Sequence, residues 1–349
     1  MQKVCVCGHF GGNNNFLDGQ TVKTKNIYKS LSERYDEKEI DKIDTYNWKK
    51  HPISFLGKCI KKMKNSENMI ILPAHNGVKV FIPLFTLLKK IYHKKIIYVV
   101  IGGWLPDILK NRKLLTRRIK RVDKILVETT NMKRKLNELG LNNVEIMVNF
   151  KDIVPIKLDE LKYNYEKPYK LCTFSRVMKE KGIEDAIKII KEINEEANEI
   201  VYSLDIYGPI DSKYIEEFEE LEKKFPKYIN YKGCVDSNKS VEVLKNYYIL
   251  LFPTRFMTEG IPGTIIDSLF AGVPIVASKW ENYMDILSEN ENCYLYDMND
   301  IGKLKNILKY VENTENVVKL KKSTLKSSSK FNKNNAIKVL IKNIEDEEK

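Results

Sequence analysis

The sequence has no apolar run long enough to cross a bilayer. Its longest, Val80 to Leu88, falls well short of the roughly 20 residues a membrane helix needs. Cysteine is sparse and scattered. Of six, only Cys5 and Cys7 stand close, and two thiols alone make no zinc site. All six are expected to be reduced core or loop thiols of a cytoplasmic protein. The opening MQKVCVCGHF carries one Lys and too short an apolar run for a secretory leader. The chain is therefore expected to be soluble, or to rest on a membrane without crossing it. No repeat recurs at a solenoid period. Aromatics are not interleaved with the basic runs as in a nucleic-acid module, so no nucleic acid is expected as a partner.

What is present is length for two domains and 43% hydrophobic residues for two cores. The net charge of +13 suits an anionic partner, although a Lys-, Asn- and Ile-rich proteome gives the same balance. Apolar strand-like runs alternate with amphipathic helices throughout, at the spacing of a parallel sheet. Lys3–Cys7 reads as the first strand, followed by a loop with Gly8, Gly11, Gly12 and Asn13 to Asn15, then a helix from Gly19. Ligands of such sheets sit beyond the carboxyl ends of the strands. The glycine spacing is not the dinucleotide fingerprint, so no nicotinamide cofactor is expected. Further on, the pattern predicts a helix from Val78 to Ile91 interrupted near Pro83, and one helix from Pro106 to Arg121. Asn149 to Glu166 lacks periodicity and reads as a connector. The predicted domains are 1–152, with a closing helix at 331–345 packing back on it, and 153–330. The tail Glu345 to Lys349 is expected to fray.

The stretch Thr254 to Ser278 carries the most chemistry. A loop with Glu259, Gly260, Pro262 and Gly263 feeds a short helix, which Gly272 ends as a left-handed cap before a buried strand. The free amides and positive dipole end of such a helix favour phosphate. Glu259 and Asp267 frame it, and carboxylates beside a phosphate site need other partners, such as sugar hydroxyls. Together these suggest a nucleotide-sugar pocket; an ordinary loop–helix–strand unit with surface acids reads the same way. Arg176 at a strand end and Lys181 before Gly182 can both turn into one cleft.

These motifs resemble those of family-four glycosyltransferases, the retaining GT-B enzymes. Glu259-Gly260-Ile261-Pro262 and Ala271-Gly272-Val273-Pro274-Ile275-Val276 match their E-x(7)-E region, with Asp267 in place of the second Glu, and Arg176 to Gly182 resembles their G-R-x(4)-K-G segment. Asp18 to Lys25 looks like a subgroup that makes surface polysaccharides. The resemblance implies an α/β protein of two Rossmann-like doubly wound domains facing across a cleft, a nucleoside-diphosphate sugar donor of UDP or GDP type, and no bound metal or other cofactor. It implies Arg176, Lys181 and Glu259 as catalytic residues, the first two neutralising the leaving diphosphate and Glu259 holding donor sugar hydroxyls. Donor contacts would come from Gly12, Val235, Gly263, Thr264, Ile265 and Asp267, the last toward the ribose. No D-x-D aspartate pair stands in a suitable loop.

On the acceptor side, His75 falls in a strand-end loop, where a surface histidine is equally at home. Trp104 can stack on a sugar ring or fill a core. Gly102-Gly103-Trp104 stands where many relatives carry a second histidine. The basic run from Lys89 to Lys124, with Leu114, Leu115 and Ile119 interleaved, suits an anionic membrane surface or a solvated helix face. The function implied is transfer of a sugar to a saccharide or lipid-linked acceptor in surface polysaccharide synthesis. A GT-B epimerase or phosphorylase, and a non-catalytic subunit that activates a partner transferase, remain alternatives.

Overall fold

The computed structural model describes residues 1–14, 16 and 18–346. Asn15 of the first glycine loop and Glu347 to Lys349 of the tail lie outside the described residues. The chain divides into two compact units, Met1–Lys151 with Phe331–Lys349, and Asp152–Lys330.

The first unit runs β1 (Gln2–Gly8), α1 (Gly19–Ser32), β2 (Ile40–Asp44), α2 (Pro52–Asn65), β3 (Ser66–Ile71), α3 (Val78–Tyr92), β4 (Lys95–Val99), α4 (Leu105–Lys110), α5 (Lys113–Ile119), β5 (Lys124–Val127), α6 (Thr130–Glu138) and β6 (Val144–Ile146). Among the described residues the strands form a six-stranded parallel sheet ordered β2-β1-β3-β4-β5-β6. Helices cover both faces, so its strands are apolar runs rather than alternating ones. Residues Ile96 to Val99 of β4 are all fully buried. On β1 the period of two still sorts the side chains. Cys5 and Cys7 pack with Cys59, Met63 and Phe85 on one face; Val4 and Val6 pack with Ile27 and Leu31 on the other.

Two helices differ from expectation. α3 runs unbroken through Pro83. Its buried positions, among them Val78, Phe81, Ile82 and Phe85, keep one stripe across the proline, and that burial outweighs one lost backbone bond. The single helix expected from Pro106 to Arg121 is instead α4 and α5, broken at Asn111–Arg112. Leu105 and Leu109 are buried from α4, and Leu115 and Ile119 from α5. In one continuous helix, six residues turn about 240°, which would carry Leu115 off the face of Leu109. The break restores it. The apolar side of α5 therefore faces the core, and only Leu114 stays exposed.

The second unit runs β7 (Tyr169–Phe174), α7 (Ile183–Ala197), β8 (Tyr202–Tyr207), α8 (Ile215–Glu222), β9 (Ile229–Gly233), α9 (Ser240–Leu244), β10 (Ile249–Phe252), α10 (Gly263–Phe270), β11 (Ile275–Ser278), β12 (Cys293–Tyr296), α11 (Ile301–Tyr310) and α12 (Glu315–Ser327). Its sheet, six-stranded among the described residues and parallel, is ordered β12-β11-β10-β7-β8-β9. The closing helix α13 (Lys333–Glu345) belongs to the first unit, where Ala336, Ile337, Leu340 and Ile344 join the cluster of Val4, Val6, Ile27 and Leu31.

Each sheet reverses its winding once. In the first unit the chain turns one way from β1 to β2 and the other way to β3. In the second, β7 leads outward to β8 and β9, while β10 starts the opposite flank. Loops leaving the carboxyl ends of the central pair diverge at such a point, which opens a crevice for a ligand. In the first unit these are the loops after β1 and β3, and in the second those after β7 and β10.

Candidate active site

In the second unit the loop after β7 delivers Arg176 and a 3-10 turn, Lys179–Lys181. Gly182 closes that turn at φ +65, and a Cβ there would stand 2.0 Å from the carbonyl oxygen of Pro253. Only glycine lets the two loops approach so closely. The loop after β10 carries Glu259. Lys181 and Glu259, 78 residues apart, form a salt bridge through Nζ and Oε1, with both side chains largely enclosed (16% and 14% exposed). The rings of Phe252 and Phe256 flank the ammonium at 5.6 and 5.8 Å. The cation and the acid, read from the sequence as serving different parts of a donor, thus meet each other directly.

The Glu259 loop is braced from three sides. Arg255 donates from Nε (3.0 Å) and a terminal nitrogen (2.6 Å) to both oxygens of Asp185, in the first turn of α7. Its backbone amide also donates to Glu180 O at 2.7 Å. At the end of β11, Ser278 Oγ donates to Thr254 O at 2.5 Å, and in the loop beyond it Asn282 Nδ2 donates to Glu259 O at 2.6 Å. Sequence reasoning missed Asp185, Arg255, Ser278 and Asn282. Arg255 lies inside the quoted stretch, but its partner is 70 residues away and no spacing betrays it.

α10 begins at Gly263 after Pro262, without a side-chain cap. Ile265 donates its amide to Pro262 O, so that predicted contact is already engaged. The amides of Gly263 and Thr264 have no partner within the helix. Thr264 Oγ1 is buried with no hydrogen-bond partner among the described residues. A water or a ligand atom can complete it, since buried hydroxyls are normally satisfied. Asp267, on the same helix, is buried. Gly272 takes φ +60 and ends the helix as expected. Arg176 is about half exposed and faces Asp211 at 3.6 Å, while Val235 is half-buried in the loop after β9.

In the first unit, Gly12 does not present its amide outward. It donates to Asp44 Oδ2 at 2.8 Å, while Phe10 and Tyr46 donate to Oδ1 at 2.9 and 2.8 Å. The Asp44 carboxylate thus stands beside the amide from which a donor contact is expected. His75 and Trp104 come together edge to face, ring centroids 5.4 Å apart, with His75 exposed. Among the described residues no group of three or more His, Cys, Asp or Glu could hold a metal ion. No helix among them is long and apolar enough to cross a membrane.

Two doubly wound units, one with an ion-paired, glycine-threaded strand edge running into a helix N-terminus, define a GT-B protein of the glycosyltransferase class. The chain belongs to the family Glycosyl transferases group 1, whose model matches residues 158–341. It is 24% identical over 205 residues to an uncharacterized glycosyltransferase, MJ1069, of Methanocaldococcus jannaschii, a match covering 56% of this chain and 50% of that protein. It therefore spans about half the length of the curated relative it matches. Among solved structures it resembles Anabaena Alr3699/HepE in complex with UDP (TM-score 0.76, 12% identity, 98% of this chain and 99% of that one). It also resembles the lipopolysaccharide outer core galactosyltransferase WaaB (TM-score 0.67, 16% identity, 99% of each chain). At these identities the likeness is one of fold.

Proposed function

We propose that the protein is a retaining, metal-independent glycosyltransferase that moves a sugar from a nucleoside-diphosphate sugar to a saccharide or lipid-linked saccharide in surface polysaccharide synthesis. The observation that carries this is the enclosed Lys181–Glu259 pair beside the N-terminus of α10, where Thr264 offers a buried hydroxyl with no partner among the described residues. A diphosphate draws on Lys181, Arg176 and the amides of Gly263 and Thr264. Hydroxyls of the donor sugar draw on Glu259, the ribose on Asp267 and the base on the backbone near Val235. The bond from the anomeric carbon to the phosphate oxygen breaks, and its electron pair leaves on the diphosphate. The acceptor oxygen bonds the same face of the sugar, and its proton passes to the departing phosphate. Charge gathers on the leaving group, where preorganised cations and amides lower the barrier most. HepE was solved with UDP and with UDP-glucose, which favours a UDP donor over GDP.

The acceptor falls to the first unit, with His75 and Trp104 on its side. Its lipid brings an anionic membrane surface to α3 and α5, which pack together and expose Lys90, Lys113, Arg117 and Arg118 beside Leu87, Ile91 and Leu114. On this reading the protein works in the cytoplasm, at the inner membrane face.

A thermal-shift panel of nucleotides and nucleotide sugars tests the donor, since a ligand of the native state raises its melting point. Release of nucleoside diphosphate by the purified protein then separates a transferase from a non-catalytic subunit. Conversion of the sugar nucleotide without an acceptor would identify an epimerase instead. Co-sedimentation with phosphatidylglycerol vesicles but not phosphatidylcholine vesicles is the outcome expected of the membrane surface.

A further inference from the structure

We propose that His9, Phe16 and Tyr46 form a subsite for a neutral saccharide ring, with His9 Nε2 held as the acceptor of one sugar hydroxyl. This rests on the reading of the first unit as the acceptor side and says where in that unit the sugar is gripped. The loop after β1 lies at the point where the first sheet reverses its winding. Asp44 holds it inward, accepting the amides of Phe10 and Gly12 from the loop and of Tyr46 after β2. What the loop presents instead is rings. His9 and Phe16 stand 5.6 Å apart, His9 and Tyr46 5.8 Å, and Phe16 and Tyr46 5.7 Å, and none of the three is fully buried. Amphipathic ring clusters with a polar edge match a pyranose, which has apolar C–H faces and hydroxyls at its rim.

The proton on His9 is fixed by its neighbours. Thr21 Oγ1 lies 2.7 Å from Asp18 Oδ2 and 2.8 Å from His9 Nδ1. A hydroxyl has one hydrogen and a carboxylate only accepts, so that hydrogen points to Asp18. His9 Nδ1 must then donate to Thr21, and a neutral imidazole keeps its lone pair on Nε2. Nε2 has no hydrogen-bond partner among the described residues. Asp18 is itself fixed as the N-cap of α1, accepting the amides of Gln20 and Thr21. A helix cap, a threonine and a histidine thus form one chain that ends in a hydrogen-bond acceptor. His9 is a binding residue here, and Thr21 positions it.

The chain has four histidines, so the imidazole nitrogens of the full-length protein are resolvable by 15N NMR and assignable by substitution. His9 is expected as the Nδ1–H tautomer in the wild type and in Thr21→Ser, and as a mixture in Thr21→Val. A panel of methyl glucosides, galactosides, mannosides and N-acetylglucosaminides is titrated in parallel. At least one is expected to bind the wild type, to bind at least about tenfold more weakly to His9→Ala and Thr21→Val, and to recover in Thr21→Ser. The thermal shift by UDP is expected to be the same in all four proteins. An Nε2–H tautomer, glycoside binding indifferent to His9, or no glycoside binding while UDP still raises the melting point overturns the subsite. Glycoside binding that depends on His9, without any response to UDP or to the other nucleotides and nucleotide sugars of the panel, upholds the subsite and removes the transferase reading.

Discussion

The two units share a plan and differ in what they place at its critical point. The second surrounds its crevice with charge: Lys181 with Glu259, Arg255 with Asp185, and Arg176 facing Asp211. The first spends its carboxylate, Asp44, on its own backbone and shows rings: His9, Phe16, Tyr46, His75 and Trp104. Doubly wound topology settles where a ligand meets the sheet, and the loop residues settle what sort of ligand it is. The contrast reaches into the cores. Lys23 in the first unit is buried against Glu128 at 2.5 Å and against Val100 O. Lys321 in the second is buried beside Gly272 O at 3.4 Å and the ring of Tyr165. One buried lysine has a counter-charge, and the other has none among the described residues.

The largest effect should come from parting those two lysines. Lys23→Met takes the Lys23 ammonium away from the buried Glu128 carboxylate, and a loss of about 3–5 kcal/mol is expected in urea unfolding. The double change Lys23→Met with Glu128→Leu should recover most of it. A neutral single variant would erase the difference between the lysines. Next come the glycines. Gly182→Ala forces a Cβ onto Pro253 O and should cost about 2–4 kcal/mol. Gly12→Ala meets only the edge of the Tyr46 ring at 3.0 Å and should cost about 1 kcal/mol. Thermal melts that rank them the other way would mean the second crevice is not the tighter one. Third, Lys181→Ala and Arg176→Ala should each lower turnover at least about tenfold, a loss above roughly 1.4 kcal/mol, with the enclosed Lys181 the more costly. Unchanged diphosphate release in both, with donor saturating, would strip the charged edge of its proposed meaning.

The smallest effect has the opposite sign. Burial, with Lys162 nearby, pushes Lys321 down to about 7. An unfolded lysine keeps its proton to about pH 10.4. Between these values the unfolded chain holds the extra proton, so stability rises with pH from about 7 toward 10 and is lowest below 7. Lys321→Met should remove that slope and add about 1–2 kcal/mol at pH 7, with less gain at pH 9. A variant no more stable than the parent at pH 6 would show that this amine finds compensation within the fold.

Much of the fold was legible because parallel strands covered on both faces must be apolar, and Ile96 to Val99 or Ile249 to Phe252 can be little else. α10 was legible through Gly272, whose left-handed turn leaves a mark in the sequence. The break between α4 and α5 was not, because no proline or glycine marks it. It shows only in the six-residue step from Leu109 to Leu115, which one helix cannot accommodate. In the site, the residue types at Lys181, Glu259 and Thr264 were visible, but their mutual arrangement was not. Arg255 with Asp185, Asn282 with Glu259, and Asp44 with the glycine loop are pairings across the chain that no local spacing encodes. His9 escaped notice for a related reason. Its role depends on which atom holds a proton, and only the neighbouring threonine and aspartate decide that.

Because α13 lies in the first unit, the order of synthesis and the order of completion differ. When residue 330 leaves the ribosome, the second unit already has every residue of its core. The first, begun much earlier, still lacks one wall, and Val4, Val6, Ile27 and Leu31 wait for Ile337 and Leu340 to cover them. The half made first is therefore the half that matures last, and until then its exposed apolar face is where a nascent chain is open to misassembly or chaperone capture.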